Sequence, residues 1–278
     1  MNLRTTLLTT LALLAFAANS VLCRLALGTG SIDAASFTAL RIASGAAFLL
    51  AFAASKRRGG SWISAAMLFL YAVGFSFAYL DLHAGTGALL LFGAVQMTML
   101  GVAVARGERP PAGEWIGIVA ALAGLVVLVA PGLAAPSLRG SVLMLAAGVA
   151  WGVYTLRGRG LTNPVGETAG NFLRAAVPAL VVGALGFSRA HATTRGVVLA
   201  VTSGAITSGL GYVIWYAALR GLTATRAALV QLAVPLIAAV AGVVLIGEHI
   251  TPRLVAASVL ILGGIALALL SRSRKAIS

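Results

Sequence analysis

The sequence predicts an all-α integral membrane protein in which ten transmembrane helices form two inverted five-helix repeats around a central cavity. Three observations predict this fold class: the apolar composition, a division into ten apolar runs, and an internal repeat. Hydrophobic residues make up 60% of the 278 residues and charged residues only 9%, whereas about 25% of a soluble domain is charged. So few charges cannot cover a soluble domain of this size, because large exposed apolar patches drive aggregation.

The ten apolar runs are each close to the roughly 20 residues that a helix needs to cross the hydrocarbon. They do not alternate between apolar and polar residues as the strands of a membrane β-barrel do. In chain order, the predicted spans cover residues 5–27, 34–54, 62–80, 84–105, 114–131, 140–156, 167–187, 196–219, 224–246 and 254–271. Asp33 is predicted to cap the N-terminus of the second span.

The first span has some features of a cleaved signal peptide. Arg4 precedes an apolar stretch, and Ala15-Phe16-Ala17 resembles a cleavage site. Cleavage would leave nine spans and disturb the distribution of loop charges. We therefore expect the first helix to be retained.

The net charge of +14 is carried by basic residues in the gaps between spans. This distribution is typical of loop charges that orient a membrane protein, and it argues against a nucleic-acid-binding surface. With ten spans, both termini share one side, and five basic residues fall on the other side. Because basic loops stay in the cytoplasm, we expect both termini to face the cytoplasm of a bacterial-type inner membrane. The basic residues on the terminal side are Arg4, Lys56, Arg57, Arg58, Arg106, Arg109, Arg157, Arg159, Arg220, Arg226, Arg272, Arg274 and Lys275.

An internal repeat divides the chain into residues 1–135 and residues 136–278, the second of which includes a short basic cytoplasmic tail. Each half holds five spans, and an odd number forces the halves into opposite orientations. This is the plan of secondary transporters, which bind substrate near the midplane between repeats; a helix bundle without moving halves is the alternative. The aligned pairs are Arg24 with Arg157 and Arg41 with Arg174, both 133 residues apart, and Glu108 with Glu248, 140 residues apart.

Family motifs occur in a consistent order. Gly-Glu closes the fourth span of each half, Trp151-Gly152-Val153-Tyr154 opens the second half, and Pro235 precedes Glu248 by thirteen residues. Together these motifs resemble the drug/metabolite transporter superfamily, specifically its EamA-type exporters, and most of all bacterial YddG-type aromatic amino acid exporters. The first half departs from the pattern, because Val95 stands where the second half has the proline. The resemblance implies a cavity lined by spans 1, 3, 4, 6, 8 and 9, with spans 5 and 10 at the periphery.

Polar and aromatic residues inside spans are expected to face this interior, because they are costly to place in hydrocarbon. Aromatic rings would stack on an aromatic substrate, and amides would bond its amino and carboxylate groups. Interfacial anchoring and hydrogen bonding between helices are the alternatives. The predicted cavity residues are Asn19, Tyr79, His83, Gln96, Trp151, Tyr154, Ser208, Tyr212, Trp215 and Gln231.

Three residues are candidates for hinges between moving helices, and two arginines are candidates for binding a charged substrate group. Gly93 and Gly101 allow close helix approach, and Pro235 removes a backbone hydrogen bond, so all three are predicted hinge or gating residues. Arg41 and Arg174 are charges well inside spans. They either stabilise the architecture or bind a substrate carboxylate.

We therefore predict a transporter that exports aromatic and other neutral amino acids by alternating access, without a cofactor or metal ion. Its partners would be the small-molecule substrate and the bilayer, with no nucleic acid; a monomer is compatible with this plan. The lone Cys23 excludes a disulfide within the chain. The same fold could instead export nucleosides, sugars or drugs. A membrane-embedded enzyme or a non-transporting scaffold is the alternative of another class, although no catalytic constellation is visible.

Overall fold

A computed structural model describes residues 2–53, 59–132, 135–158, 161–186, 188, 190–222 and 224–275. Within these residues the chain is helical and has no β-strand, which confirms the predicted all-α class. The helices are α1 (Leu3–Gly28), α2 (Ala34–Phe52), α3 (Trp62–Ala78), α4 (Ala84–Ala105), α5 (Ala112–Val129), α6 (Leu138–Arg157), α7 (Pro164–Leu185), α8 (Thr194–Leu219), α9 (Ala224–Gln231 and Ala233–Ile246) and α10 (Pro252–Lys275).

Most of these helices have the length and composition to cross a membrane. In the described part of the chain, nine helices meet both criteria, and α3 is a shorter apolar helix of 17 residues. That length is at the lower limit for a spanning helix. Several basic residues used to predict orientation lie outside the described residues, as do the side chains of three more near the C-terminus. The first group is Lys56, Arg57, Arg58, Arg159 and Arg189, and the second is Arg272, Arg274 and Lys275.

Two helices depart from a regular α-helix. The middle of α8, Ser203–Leu210, is a π-helix, and the sequence did not predict it. In α9 the helix is interrupted at Leu232, three residues before Pro235. Proline has no N–H with which to bond the carbonyl four residues earlier, here that of Gln231. The interruption therefore lies where the proline removes a hydrogen bond.

The helices of the two halves pack symmetrically. Equivalent helices contact each other in the pairs α2–α7, α4–α9 and α5–α10. Three further contacts have counterparts in the exchanged halves: α1–α8 corresponds to α6–α3, α2–α8 to α7–α3, and α1–α9 to α6–α4. Two inverted five-helix repeats produce this pattern. The exact boundary between the repeats stays a prediction.

The pair α5–α10 lies at the periphery and is held by close backbone contact. A side chain added at Gly117 would collide with the carbonyl of Gly264, and one added at Gly264 would collide with that of Gly117. The outer faces are apolar and exposed, as at Val126 and Val259. These two helices therefore pack tightly on each other and present apolar side chains outward.

The loops form two groups, at opposite ends of the bundle. We call the end at which α1 begins the near side and the opposite end the far side. On the far side, the α1–α2 loop binds the α7–α8 loop: Asp33 N–H donates to the carbonyl of His191 at 3.0 Å, and Thr193 N–H donates to that of Ser31 at 2.8 Å. The Asp33 carboxylate also accepts from the Ser36 N–H at 2.9 Å, which confirms the predicted N-cap of α2.

Candidate functional site

A cavity of 460 Å³ lies on the near side between α4, α6, α7, α8 and α9; we call it the near-side vestibule. Its rim is formed by the adjoining ends of α6 and α7 and of α8 and α9, so it opens at that end. Five aromatic side chains dominate its walls, accompanied by Thr155 and Gln231. The aromatic residues are Trp151, Tyr154, Tyr212, Trp215 and Tyr216.

A second, much smaller cavity of 20 Å³ lies between α1, α3, α4, α6 and α8; we call it the central pocket. It has room for about one water molecule. Trp151 and Tyr212 line both cavities, and their rings are stacked with centroids 5.2 Å apart. This ring pair therefore forms the partition between the vestibule and the central pocket.

A polar network surrounds the central pocket and connects three helices. The amide nitrogen of Asn19 donates to the hydroxyl of Tyr71 at 3.3 Å. Its amide oxygen accepts from the hydroxyls of Ser203 at 2.7 Å and Thr207 at 3.1 Å. Both hydroxyls come from the π-helical part of α8, so the irregular segment supplies polar groups to the centre of the bundle. Irregular helical turns of this kind occur frequently at functional sites.

The far side is closed by an ion pair. Arg24 Nε donates to Glu248 Oε1 at 3.2 Å, and the Arg24 Nη1 donates to the carbonyls of Tyr79 and Leu80, both at 3.2 Å. The Glu248 carboxylate also accepts the N–H of Ala84, the first residue of α4, at 2.8 and 3.1 Å. We call Arg24, Glu248 and Ala84 the far-side seal, because together they join α1, α4 and the end of α9.

The structure brings seven of the predicted cavity residues together around these two cavities. Five line the near-side vestibule, and Asn19 and Ser208 line the central pocket. Their role in binding stays a prediction. The five vestibule residues are Trp151, Tyr154, Tyr212, Trp215 and Gln231.

Three other predicted cavity residues line neither cavity. Tyr79 is fully buried, contacts Phe75 edge to face and donates to the carbonyl of Ala84 at 3.2 Å. It therefore packs the tight α3–α4 connection. His83 is exposed at the N-cap position of α4 on the far side. Gln96 is buried within α4, apart from both cavities.

The predicted hinge glycines occupy different surroundings. A side chain at Gly93 would meet Leu125 and Ile261, each at 3.3 Å, so this glycine lies against the α5–α10 pair. Gly101 is exposed, and no described residue lies within 4 Å of a side chain added there. Close helix packing thus explains why a residue without a side chain stands at position 93, but it gives no such reason for Gly101.

The far-side seal was not predicted as a functional site. Arg24 and Glu248 are 224 residues apart in sequence, and the Gly-Glu motif that contains Glu248 does not indicate which residue its carboxylate binds. The available signal was that each has a counterpart in the other half of the repeat, Arg157 and Glu108. Tyr71 was similarly visible only as one of many polar residues inside spans.

A groove between α3 and α6 has a larger volume, 610 Å³. Its walls are nearly all apolar and include the exposed side chains of Leu138 and Val142. Among the described residues, this groove offers Arg139 as its single charged group, and it lies on the outer surface. The aromatic vestibule is therefore the better candidate site.

Comparison with known proteins identifies the chain's relatives. A solved crystal structure of a protein matches with a TM-score of 0.67 at 24% identity, covering 96% of this chain and 98% of that chain, which shows the fold. A family model for the EamA-like transporter family matches residues 138–270, from α6 to α10. The chain belongs to the EamA-like transporter family.

Two curated relatives extend the likeness of this EamA-like transporter. An uncharacterized protein of Pseudomonas aeruginosa is 52% identical over 282 residues, which cover 98% of this chain and 97% of the relative. An uncharacterized transporter of Archaeoglobus fulgidus is 27% identical over 199 residues, which cover 70% of this chain and 71% of the relative. Neither description names a substrate. The family match and the apolar helices of the described residues together make this EamA-like chain a multi-pass membrane transporter of a small molecule.

Proposed function

We propose that this EamA-like transporter exports aromatic and other neutral amino acids by alternating access. The observation that carries the proposal is the combination of an aromatic vestibule open on the near side with the Arg24–Glu248 ion pair on the far side. A carrier must expose its site to one side at a time, and a cavity open at one end only has the required form.

The vestibule has the size and chemistry for such a substrate. Its 460 Å³ lies within the roughly 300–1,000 Å³ of small-molecule sites. Trp151 and Tyr154 are stacked at 5.1 Å, and an aromatic side chain placed beside such rings gains about 0.5–1.5 kcal/mol per ring pair. Gln231 and Thr155 supply polar groups in the same wall. These features favour an amphiphilic cargo over a sugar.

Exchange of conformations between the two halves would open the opposite side. In this mechanism the Trp151–Tyr212 partition separates to admit cargo, and the far-side seal then breaks. The interrupted α9, with Pro235, provides a bend where one helix can change direction. Gly93 and Gly101 stay candidates for the matching change in α4.

The orientation follows from the basic residues near the termini. We propose that the near side is cytoplasmic in a bacterial inner membrane, because basic loops stay in the cytoplasm. Reporter tags at the two termini should both be shielded from externally added protease in intact spheroplasts. Opposite accessibility of the two tags would contradict both the orientation and the ten-span topology.

Counterflow in proteoliposomes tests the transport proposal. Purified protein is offered tryptophan, threonine, a nucleoside and a sugar, and we expect exchange of tryptophan and threonine. Trp151→Ala should lower tryptophan exchange, whereas Trp115→Ala, which removes an exposed ring of α5, should not. Exchange of the nucleoside or the sugar, without exchange of either amino acid, would show that the cargo is not an amino acid. Exchange of none of the four solutes would overturn the transport proposal.

A further inference from the structure

Arg41 is a fully buried cation with no counter-ion in the part of the chain that the structure describes. Its side chain lies in α2 with 1% of its surface exposed. One guanidinium nitrogen, Nη2, donates to the hydroxyl of Tyr71 at 2.7 Å, whereas Nε and Nη1 have no hydrogen-bond partner within the described ranges. Among the described residues, no carboxylate pairs with this guanidinium.

The aromatic rings beside Arg41 compensate only part of this burial. The guanidinium carbon lies 4.7 Å from the ring centre of Phe75 and 5.0 Å from that of Tyr71. Cation–π contacts are weaker than a hydrogen-bonded ion pair, and arginine stays charged inside proteins. A buried charge in a membrane protein ordinarily has a partner and often marks a substrate path. The unused donors of Arg41 therefore call for an anion.

The same region has other unsatisfied polar groups. Tyr71 and Phe75, which contact the guanidinium, line the central pocket. Ser20 and Ser208 also line that pocket, and neither hydroxyl oxygen has a hydrogen-bond partner among the residues described. A small closed pocket with unused hydroxyls beside an uncompensated cation has the chemistry of an anion-binding site.

Arg174, the repeat counterpart of Arg41, shows what a structural arginine in this fold looks like. Its Nη1 donates to the carbonyls of Gly59 at 2.9 Å and Gly170 at 3.0 Å. Its guanidinium also lies 5.8 Å from the ring centre of Trp62. Arg174 thus ties the start of α3 to α7. Within the described chain, Arg41 has no comparable set of backbone acceptors, so an architectural role explains Arg174 and does not explain Arg41.

We propose that Arg41 binds the carboxylate of the transported solute at the central pocket. This inference rests on the proposed transport function and deepens it, because it requires the cargo to carry a carboxylate. The planar guanidinium can hold a carboxylate with two parallel hydrogen bonds. A single arginine balances one negative charge, which favours a carboxylate over a doubly charged phosphate.

The partition of Trp151 and Tyr212 explains how the carboxylate reaches this site. The pocket of 20 Å³ holds no solute while the two rings are stacked. When the rings separate, the carboxylate enters beside Tyr71, and the cargo's apolar part stays between the aromatic walls of the vestibule. The carboxylate then supplies the counter-ion that Arg41 lacks in the empty state.

Counterflow with cargo analogues tests this inference on the unaltered protein. Tryptophan is compared with tryptamine, which lacks the carboxylate, with tryptophanamide, which has a neutral amide there, and with indole-3-propionate, which lacks the amine. We expect tryptophan and indole-3-propionate to compete for transport and the two compounds without a carboxylate to be at least about tenfold weaker, the cost of leaving a buried charge unpaired. Equal transport of tryptamine or tryptophanamide would overturn the carboxylate site while leaving the transport function intact. Competition by inorganic phosphate but not by indole-3-propionate would also overturn it.

Variants of the two arginines provide the matched comparison. Arg41→Gln should lower tryptophan exchange about 10- to 100-fold, Arg41→Lys should restore part of it, and Arg174→Gln should retain substrate preference. Tryptophan should also raise the melting temperature of the wild-type protein and of Arg174→Gln, but not that of Arg41→Gln, and this measurement does not depend on transport.

Equal loss of tryptophan binding in the Arg41→Gln and Arg174→Gln variants would overturn the inference. If no solute is transported, the proposed function fails; an Arg41-dependent tryptophan shift would then still support the carboxylate site, and no shift in the wild-type protein would overturn it.

Discussion

Glu248 performs two roles with one carboxylate. It pairs with Arg24 of α1 and accepts the N–H of Ala84 at the start of α4. A helix N-terminus carries a partial positive charge and unpaired N–H groups, so an acidic side chain is stabilising there. With 8% of its side chain exposed, Glu248 is also shielded from water. The seal therefore depends on the negative charge of this residue.

Glu248→Gln should loosen the far side. Glutamine keeps a hydrogen-bond acceptor for Ala84 but loses the charge-assisted bond to Arg24, a loss of about 1.5–3 kcal/mol. We expect the buried Cys23, next to Arg24, to react at least about tenfold faster with a membrane-impermeant maleimide added from the far side. Arg253→Gln is the control, because Arg253 bonds the carbonyl of Ala130 between α5 and α10. Equal labelling rates in the two variants would contradict the seal.

The surroundings of Asp33 predict that the stability contributed by the far-side loops depends on pH. Partial desolvation works against ionisation, but hydrogen bonds from Ser36 and from the His191 N–H outweigh it, so the pKa of Asp33 lies below its ordinary value of 3.8. A lowered folded-state pKa contributes stability that is present above the ordinary value and is lost as the pH falls through the folded-state pKa. The melting temperature of wild type should therefore fall more steeply below about pH 4 than that of Asp33→Asn. Parallel melting curves would rule this contribution out.

At the scale of the helix, the π-helical part of α8 lies tightly against α2. A side chain at Gly204 would collide with the Arg41 carbonyl and the Ser44 hydroxyl. Gly204→Ala should therefore destabilise the protein by about 1–3 kcal/mol, as overpacking does, and lower transport by displacing Arg41. Gly101→Ala, at an exposed position with open space, should not destabilise the helix, because alanine favours it. Thermal unfolding of both variants in detergent decides the point, and equal stability would contradict close packing at Gly204.

The interruption of α9 leads to a separate expectation. Pro235→Ala restores an N–H that can bond the carbonyl of Gln231, so the helix can continue through Leu232. We expect the variant to keep or raise its melting temperature while tryptophan exchange slows, because a straight helix would resist the change of direction between states. An unchanged exchange rate would exclude Pro235 as a hinge.

The sequence predicts the helices well because membrane crossing imposes a simple length and composition. It does not predict the π-helix, because Ser203–Leu210 has the same residue types as a regular small-residue helix. The segment's contacts with Asn19 and α2 join residues that are far apart in the sequence. The aromatic vestibule was predictable, since Trp151 and Tyr212 are expensive in lipid. The far-side seal forms, and His83 lies outside both cavities, because of which distant loops meet. No local pattern in a single sequence indicates which loops will meet.

For the whole molecule, the repeat predicts a second ion pair. Arg157 and Glu108 are the counterparts of Arg24 and Glu248. In this structure Arg157 donates to the hydroxyls of Ser64 at 3.1 Å and Ser61 at 3.4 Å, beside the open vestibule. If the halves exchange conformations, we expect Arg157 to pair with Glu108 when the near side closes.

Glu108→Gln tests this expectation because its effect should have the opposite sign to that of Glu248→Gln. Loss of the near-side pair would favour the state described here, so far-side labelling of Cys23 should slow relative to wild type. Arg106→Gln, in the same loop, should leave the rate unchanged. Faster labelling in Glu108→Gln would show that the two pairs do not alternate.

A closed far side in the empty protein also affects the kinetics of exchange. A carrier that rests with its vestibule open on the side of its own termini can bind solute from that side at once, whereas solute on the opposite face binds only after the empty carrier has reoriented. Detailed balance leaves the final distribution of a passively carried solute unchanged, since the two half-saturation constants and the two maximal rates shift together. The Arg24–Glu248 contact would therefore determine which face of the empty carrier loads first, while the solute gradient determines the direction of net transport.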